Sequence, residues 1–453
     1  MAELDRKTLA GWLQELLAEC NTPGASAAVW HGGRLIEAAA GVAHLGTRAG
    51  VATDTVFQIG STSKIFTTTM VMQLVDEGLV DLDAPIVDYL PELRLADEQA
   101  TRTITTRHLL THTSGLEGDL FTDIGEDDEC VARLVALCAD VGQLHPPGER
   151  FSYCNTGFVI LGRLAEVLRQ SSHETLLRER VCDPAGLDIV TTADAAIMRR
   201  SAVGHVTGPD GLVVAPRWAL PRSMAPAGSV ICADARTVVD FGLAHRKAAA
   251  GDLPEFLGAA SARAMGELQV KLPDTATLPA YGWGLGWILF DWEGLAVVGH
   301  DGGTIGQGSS LRVADDGDLV VAVLHNGGQG GRLTDGVVRR VFEQVAGVKA
   351  PAKPEPNAAV QIDPARYVGR YSRLYVDLDI DLVDDGLQLT SRPYGELAAW
   401  SPAMTVPLVP ASEDVLLAVT APGAYLPLTF LEPDADGRPT WVHTGMRAQR
   451  RQR

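Results

Sequence analysis

A serine and a lysine three residues apart, Ser61 and Lys64, are the residues of this chain best suited to covalent chemistry. They lie between an apolar, strand-like stretch at residues 56–60 and a helix-patterned run that ends near Gly78. Residues three apart at a helix start share one face, so the amine can reach the hydroxyl beside unpaired helix N–H groups. A lysine made neutral by burial can act as general base. The pair predicts an activated serine nucleophile, although Ser-x-x-Lys also occurs as an ordinary solvated helix start.

Two further segments carry groups that a covalent mechanism needs. Tyr153 and Asn155 follow a Pro-Pro-Gly turn and open an apolar helix over residues 158–168, so a phenol and an amide are expected to face one site. Residues 299–303 end a predicted strand, and their glycines would let a substrate backbone pair with the strand edge. Taken alone, Tyr153 is typical of a half-buried interface tyrosine and His300 of a strand-end histidine bonded to backbone.

Together the three segments resemble the serine penicillin-recognising family, in which Ser-x-x-Lys, Tyr-x-Asn and a Lys/His-x-Gly motif occur in this order at about these intervals. This family includes penicillin-binding proteins, class C β-lactamases, β-lactamase-like esterases and D-aminopeptidases. The likeness covers most of residues 20–345. It implies an α/β (α+β) domain of the β-lactamase/transpeptidase type, with an antiparallel sheet flanked by helices plus a helical subdomain.

The resemblance also implies roles for the first two motifs. Ser61 would be the acylated nucleophile, Lys64 its base, and Tyr153 the proton shuttle to and from the leaving group. Asn155 would bind the substrate amide. Whether Lys64 or Tyr153 is the operative base stays open, because both belong to one coupled network.

The third motif is implied to be His300, Asp301 and Gly302, of which His300 is catalytic and the other two bind substrate. The backbone N–H groups of Ser61 and Gly303 would form the oxyanion hole. The motif departs from the Lys-Thr-Gly of true β-lactamases. Because histidine is less surely cationic than lysine, a β-lactam carboxylate is a poorer natural ligand, and we expect weak or absent lactamase activity.

The elements that must position these residues can be placed coarsely. Residues 26–30 and 34–40 are predicted to be paired strands, and helices and loops are expected to dominate from a helix around residues 107–111 to about residue 200. Strand composition returns in four segments that complete the sheet. These segments are residues 281–287, 295–298, 310–313 and 319–324.

A proline-rich stretch divides the chain. We predict a catalytic domain at residues 1–350, a linker at 351–359 and a small antiparallel barrel at 360–453, which the resemblance identifies as lipocalin-like. Strict alternation over residues 376–382, followed by an Asp-Gly turn at Asp385, supports the barrel.

Two charged segments have two interpretations each. The acidic stretch 117–129 is predicted to be a solvated loop, which could also rim the cleft. The basic tail 447–453 is most simply frayed, but Arg447 could instead bind a substrate carboxylate if the barrel packs over the cleft.

Composition excludes several partners. The chain has 453 residues and a formal net charge of −19, which disfavours nucleic acid and anionic membranes. No apolar run approaches the roughly 20 residues that span a bilayer, and the first residues lack the apolar core of a signal peptide, so we expect a cytoplasmic protein. His108 and His112 are spaced like zinc ligands but lack the glutamate of His-Glu-x-x-His, so neither metal nor cofactor is predicted.

Three functions compete. The first is a trans-acting, penicillin-binding-protein-type thioesterase, which takes a peptidyl thioester with a C-terminal D-residue from a carrier protein and cyclises it head to tail. The second is a stand-alone esterase or D-aminopeptidase/amidase acting on a small ester or amide, with water as acceptor. The third is a catalytically retired binding protein. The extra barrel, which could exclude water, and the lack of a Glu-x-x-Leu-Asn deacylation motif favour the first, whereas the negative charge does not help docking to an acidic carrier.

Overall fold

A computed structural model gives the structure of the chain and describes residues 4–315, 317–384, 386–399 and 402–452. The helices are α1 (Arg6–Glu19), α2 (Ser63–Asp76), α3 (Glu98–Thr103), α4 (Thr106–Leu110), α5 (Cys130–Ala136), α6 (Asn155–Arg169), α7 (His173–Leu176), α8 (Asp183–Ala185), α9 (Ala193–Ile197), α10 (Ala235–Ala250), α11 (Ala259–Met265) and α12 (Gly330–Val345). Short 3-10 turns cover Gly60–Thr62, Ile86–Asp88, Leu137–Asp140, Arg222–Ala227, Pro364–Arg366 and Gly395–Ala399, and a π-helical stretch covers Leu177–Cys182.

The strands fall into a central sheet, a barrel and two short pairs. They are β1 (Gly24–His31), β2 (Arg34–Gly41), β3 (Phe57–Gln58), β4 (His205–Gly208), β5 (Gly211–Val214), β6 (Cys232–Ala233), β7 (Val270–Lys271), β8 (Gly282–Trp283), β9 (Ile288–Trp292), β10 (Leu295–Gly303), β11 (Gly308–Ala314), β12 (Leu319–His325), β13 (Gly369–Arg373), β14 (Val376–Val383), β15 (Gly386–Pro393), β16 (Met404–Pro410), β17 (Val415–Ala421), β18 (Ala424–Pro433), β19 (Pro439–Thr444) and β20 (Arg447–Arg451).

The central sheet is antiparallel and has the order β2-β1-β12-β11-β10-β9-β8-β7 in the described part of the chain. Successive side chains of a strand point to opposite faces. Thus Val320 and Ala322 of β12 enter the core formed with α2 and α10, whereas Val321 and Val323 enter the core formed with α1 and α12. Helices cover both faces, which confirms the predicted fold class.

Ser61 lies in the 3-10 turn that leads into α2. Regular α-helical geometry begins two residues later, at Ser63. Gly60 has φ +53°, and a Cβ there would lie 2.5 Å from the backbone nitrogen of Gly303. Glycine at position 60 thus allows the turn that carries Ser61 to lie against the end of β10. Because α2 is buried from Ser63 to Leu74, packing fixes the position of this turn.

The C-terminal strands β13 to β20 form a closed antiparallel barrel, as predicted. Alternate residues of β14, including Leu378 and Ile380, fill its core. The hairpin of β14 and β15 is present, while Asp385 of the predicted turn lies outside the described residues. The prediction of a frayed basic tail is wrong for Arg447–Arg451, because this segment is the last strand, paired with β19 and β13.

The barrel packs directly against the residues that precede it in sequence, called the first part of the chain below. The Tyr153 backbone N–H donates to the Met446 carbonyl (3.0 Å), and the Ala448 N–H donates to Ser152 Oγ (3.2 Å). The turn between β19 and β20 therefore contacts the predicted Tyr-x-Asn motif. Within the described ranges, no helix combines the length and apolarity needed to cross a membrane.

Candidate active site

The Ser61 hydroxyl and the Lys64 amine are in contact. Lys64 Nζ lies 3.1 Å from Ser61 Oγ, and it donates to Asn155 Oδ1 and to the Ala227 carbonyl, both at 2.7 Å. The lysine side chain is fully buried. Burial, reinforced by the charge of Arg447, lowers the pKa of Lys64 to about 7. An amine that exchanges its proton near neutral pH thus lies next to a hydroxyl that it can deprotonate.

The activity should rise with pH as Lys64 loses its proton. Because only the neutral amine accepts a proton, we expect kcat/KM for an aryl ester to be low in acid and to increase through a midpoint near 7. The measurement is a pH series of initial rates, corrected for spontaneous hydrolysis at each pH. A profile that is already at its plateau about two pH units below this midpoint would contradict the assignment of Lys64 as base.

Tyr153 faces the same lysine and is held by aromatic packing. Lys64 Nζ lies 5.0 Å from the centre of the Tyr153 ring, and the ring lies 4.2 Å from that of His112. Burial raises the pKa of Tyr153 well above its ordinary value, so the side chain is a phenol at neutral pH. His112 Nδ1 accepts the Cys154 backbone N–H (3.0 Å), which agrees with a structural role for this histidine.

Asn155 is held by a buried carboxylate that the sequence analysis missed. Asn155 Nδ2 donates to Asp119 Oδ1 at 2.7 Å. Two barrel guanidinium groups also bind Asp119: Arg447 at 2.7 and 3.1 Å, and Arg373 at 3.3 Å. Burial would raise the pKa of Asp119, but the two arginines outweigh it and lower this pKa. The prediction that residues 117–129 form a solvated loop is wrong at Asp119, which is 5% exposed.

Arg447 reaches the predicted site, where its guanidinium pairs with Asp119 and lies 5.0 Å from the Tyr153 ring centre. Its Nε and Nη2 already donate to this carboxylate, and Nη1 donates to the Gly445 carbonyl (3.1 Å). The structure thus gives Arg447 an electrostatic role beside Lys64. The binding of a substrate carboxylate by Arg447 stays a prediction.

Replacing Arg447 with alanine should change the pH profile. Because Arg447 helps to lower the pKa of Lys64, its loss should move the midpoint to higher pH. Weakened support of Asn155 through Asp119 should lower kcat/KM at neutral pH by about tenfold. Arg373→Ala is the matched control, since Arg373 also binds Asp119 but is absent from the main charges acting on Lys64. Unchanged turnover and an unchanged profile in Arg447→Ala would remove Arg447 from the site.

His300 is buried and neutral. Its Nδ1 lies 2.6 Å from the Asp301 carbonyl oxygen, which can only accept, so Nδ1 carries the proton and Nε2 is an acceptor. Burial, with the nearby Lys64, lowers the pKa of His300 to about 3. Within the described ranges, the buried Nε2 has no hydrogen-bond partner. A neutral acceptor gives a substrate carboxylate no cationic partner here, in line with the expected weak lactamase activity.

The remaining residues of the third motif shape the strand edge. Both carboxylate oxygens of Asp301 bind Arg312, at 2.8 and 2.9 Å, so direct substrate binding by Asp301 would compete with this pair. A Cβ at Gly302 would lie 1.8 Å from the Ile59 carbonyl oxygen. A larger residue at position 302 would therefore separate β10 from the turn that carries Ser61. A Cβ at Gly60 would also meet the Gly303 backbone, so Gly303 lies next to the turn that carries Ser61. The oxyanion hole formed by the Ser61 and Gly303 N–H groups stays a prediction.

Two cavities meet at Ser61. The Tyr153-side cavity, about 420 Å³, is lined by Tyr153, His300 and Arg312 and extends to Lys353. The Asn155-side cavity, about 330 Å³, is lined by Asn155 and Gly303 and by apolar side chains. These apolar residues are Phe121, Val206, Leu220, Met224 and Ile305. Arg447 contributes to both cavities. A group bound to Ser61 therefore has space on two sides.

The cysteine side chains and the possible metal ligands provide only two observations that bear on a second site. The six cysteines are buried and free. Across the described residues, no group of three or more His, Cys, Asp or Glu side chains is arranged to hold a metal ion.

Known proteins resemble this chain over most of its length. The profile of the family described as Beta-lactamase matches residues 9–346. Penicillin-binding protein 4 of Amycolatopsis lactamdurans is 43% identical over 366 residues, which are 79% of this chain and 95% of that protein. The structure of SurE with D-Leu matches with a TM-score of 0.76 and 27% identity, over 99% of both chains. D-amino acid amidase of Ochrobactrum anthropi SV3 shares the fold at 23% identity and a TM-score of 0.63, over 74% of this chain and 98% of the amidase. The chain therefore belongs to the β-lactamase family and is a serine hydrolase related to the penicillin-binding proteins.

Proposed function

We propose that this chain transfers a peptidyl group from a thioester, through an ester on Ser61, to the free amine of the same peptide and so closes a ring. The observation that carries this proposal is the pair of cavities that meet at Ser61. Hydrolysis needs space for one acyl group and a water molecule, whereas transfer needs space for an acyl group and a second organic group. The whole-length likeness to SurE, whose structure holds D-Leu, supports a D-residue at the acyl end.

The first half of the reaction forms the acyl-enzyme. Neutral Lys64 accepts the Ser61 proton, and Ser61 Oγ attacks the thioester carbonyl. The oxyanion is stabilised by the N–H groups of Ser61 and Gly303, worth about 2.7–4 kcal/mol for each donor. The C–S bond then breaks, and the thiol leaves with the proton delivered through Tyr153. The lowered pKa of Lys64 and the raised pKa of Tyr153 favour Lys64 as the base.

The second half passes the acyl group to nitrogen. We assign the acyl residue to the Asn155-side cavity, because an amide side chain and apolar residues line it. The amine enters the Tyr153-side cavity and attacks the ester carbonyl. The amine passes one proton through the Tyr153 hydroxyl to neutral Lys64, the bond from the carbonyl carbon to Ser61 Oγ breaks, and Lys64 returns the proton to Ser61 Oγ. The barrel contacts the Tyr153 backbone through Met446, and we propose that it limits access of water to the ester.

Synthetic thioesters test this assignment. A free-amine peptide ending in a D-residue, presented as an N-acetylcysteamine thioester, should give cyclic peptide. The same peptide with an acetylated amine should give an acyl-enzyme and only slow release of linear acid, because the intramolecular acceptor is blocked. Fast conversion of both peptides to linear acid would instead establish an esterase or amidase that uses water. If cyclic peptide forms, comparing the same peptide as a carrier-bound thioester tests whether a carrier protein is a partner.

A further inference from the structure

The wall of the Asn155-side cavity is held in place by the barrel. Phe121 lies in this wall, in a segment without regular secondary structure between Leu116 and Cys130. The Phe121 backbone N–H donates to Glu396 Oε2 (2.9 Å), and the Thr122 hydroxyl donates to Glu396 Oε1 (2.5 Å). Glu396 belongs to the Gly395–Ala399 turn between β15 and β16. A single barrel carboxylate thus binds two successive residues at the cavity wall.

At residues 120–122, the hydrogen bonds to side chains that precede the barrel in sequence are longer than those to Glu396. Ser223 Oγ donates to the Thr122 carbonyl at 3.3 Å, and the Leu120 N–H lies 3.4 Å from Thr156 Oγ1. Both are longer than the contacts of Glu396, and both join neutral groups. Hydrogen bonds to a charged acceptor are shorter and roughly twice as strong as neutral ones. Among the side-chain hydrogen bonds at residues 120–122, those to Glu396 are therefore the strongest.

We infer that Glu396 is a positioning residue that sets the selectivity of the Asn155-side cavity for the acyl residue, by fixing Phe121 in its wall. The ligand class is the apolar side chain at the acyl end of the substrate, because Leu220 and Met224 line the cavity together with Phe121. The inference rests on the proposed placement of the acyl residue in this cavity. It gives the barrel a role in substrate choice that is separate from the contacts of Arg447 with Asp119.

The test compares small and large acyl groups. Acetyl and D-leucyl thioesters are assayed with the wild type, Glu396→Ala and Glu396→Gln. For Glu396→Ala we expect a kcat/KM for the D-leucyl thioester that is about tenfold lower, with most of the change in KM. The acetyl thioester should change much less, since it does not reach the wall. Glu396→Gln keeps one acceptor oxygen and should recover part of the selectivity.

Two controls separate this role from loosening of the barrel. Glu432→Ala removes another barrel carboxylate that bridges to the first part of the chain, through Arg150 (2.8 Å), but does not line either cavity. Glu432→Ala should leave unchanged the ratio of kcat/KM for the acetyl thioester to kcat/KM for the D-leucyl thioester. In a Phe121→Ala background, Glu396→Ala should have no further effect on the ratio, because the two residues act in series.

The outcomes distinguish the inference from the proposed function. If the wild type acylates Ser61 but Glu396→Ala keeps the wild-type ratio while its melting temperature is unchanged, the inference is wrong. Equal changes in Glu396→Ala and Glu432→Ala would also overturn it. If the wild type forms no acyl-enzyme with either thioester, the proposed function fails.

Discussion

Ser61→Ala should abolish acyl-enzyme formation and lower the turnover of any thioester or ester by at least about 10⁴-fold, because the residual rate comes from binding and the oxyanion hole alone. The expected readout is the loss of the mass increment that a fluorophosphonate or a thioester adds to the protein. The fold should persist, since the change removes one oxygen atom from a residue that lines both cavities.

Ser63→Ala provides the matched control in the same tetrapeptide. Ser63 is fully buried, and within the described ranges its hydroxyl has no hydrogen-bond partner. It lies two residues from Ser61, at the first position of α2. We expect the Ser63 variant to keep its adduct and most of its activity. An adduct that survives in Ser61→Ala, or one that maps to Ser63, would contradict the assignment of the nucleophile.

Lys64→Met should have the second largest effect, a loss of about 10²–10⁴-fold in kcat, which is the range that a general base contributes. Methionine fills a similar volume but cannot accept the Ser61 proton. The variant also leaves Asn155 Oδ1 and the Ala227 carbonyl without their donor, so its melting temperature must be measured in parallel.

Lys64→Arg separates charge from proton transfer. Arginine keeps a positive charge and donors for Asn155, but it stays protonated at all relevant pH values and so cannot act as base. We therefore expect Lys64→Arg to be nearly as inactive as Lys64→Met. Near-normal activity in Lys64→Arg would show that the lysine serves mainly as a fixed charge, and Tyr153 would then be the stronger candidate for the base.

The residues nearest to the chemistry were predictable because their spacing is local. Ser61 and Lys64 lie within one turn of chain, and Tyr153 and Asn155 open a single helix. The structure brings these residues together, with direct contacts from Lys64 to Ser61 and Asn155, and their catalytic roles stay predictions. The charge state of His300 could not be predicted, since it depends on burial beneath residues that are distant in sequence.

The ion pairs behind the site were not predictable from local patterns. Asp119 lies in an acidic run, and its two arginines come from strands more than 250 positions later in the chain. One signal was available: Leu116, Leu120 and Phe121 make the start of this run apolar, unlike its remainder. Such a pattern predicts a partly buried segment better than a solvated loop.

The C-terminal strand was missed for a similar reason. Its basic composition is typical of a frayed tail, yet Ala448 and Gln449 are buried and the segment closes the barrel. Barrel closure joins the first and last strands of the C-terminal region, which no local alternation can show. The predicted domain limits at residues 350 and 360 stay predictions.

The most direct test of the account is mass spectrometry of the products formed from a free-amine peptidyl thioester with a terminal D-residue, using the wild type and Ser61→Ala. We predict a cyclic product whose mass is lower than that of the linear acid by one water and which is absent with Ser61→Ala. Linear acid as the sole Ser61-dependent product would contradict peptide cyclisation and establish hydrolysis by the same serine.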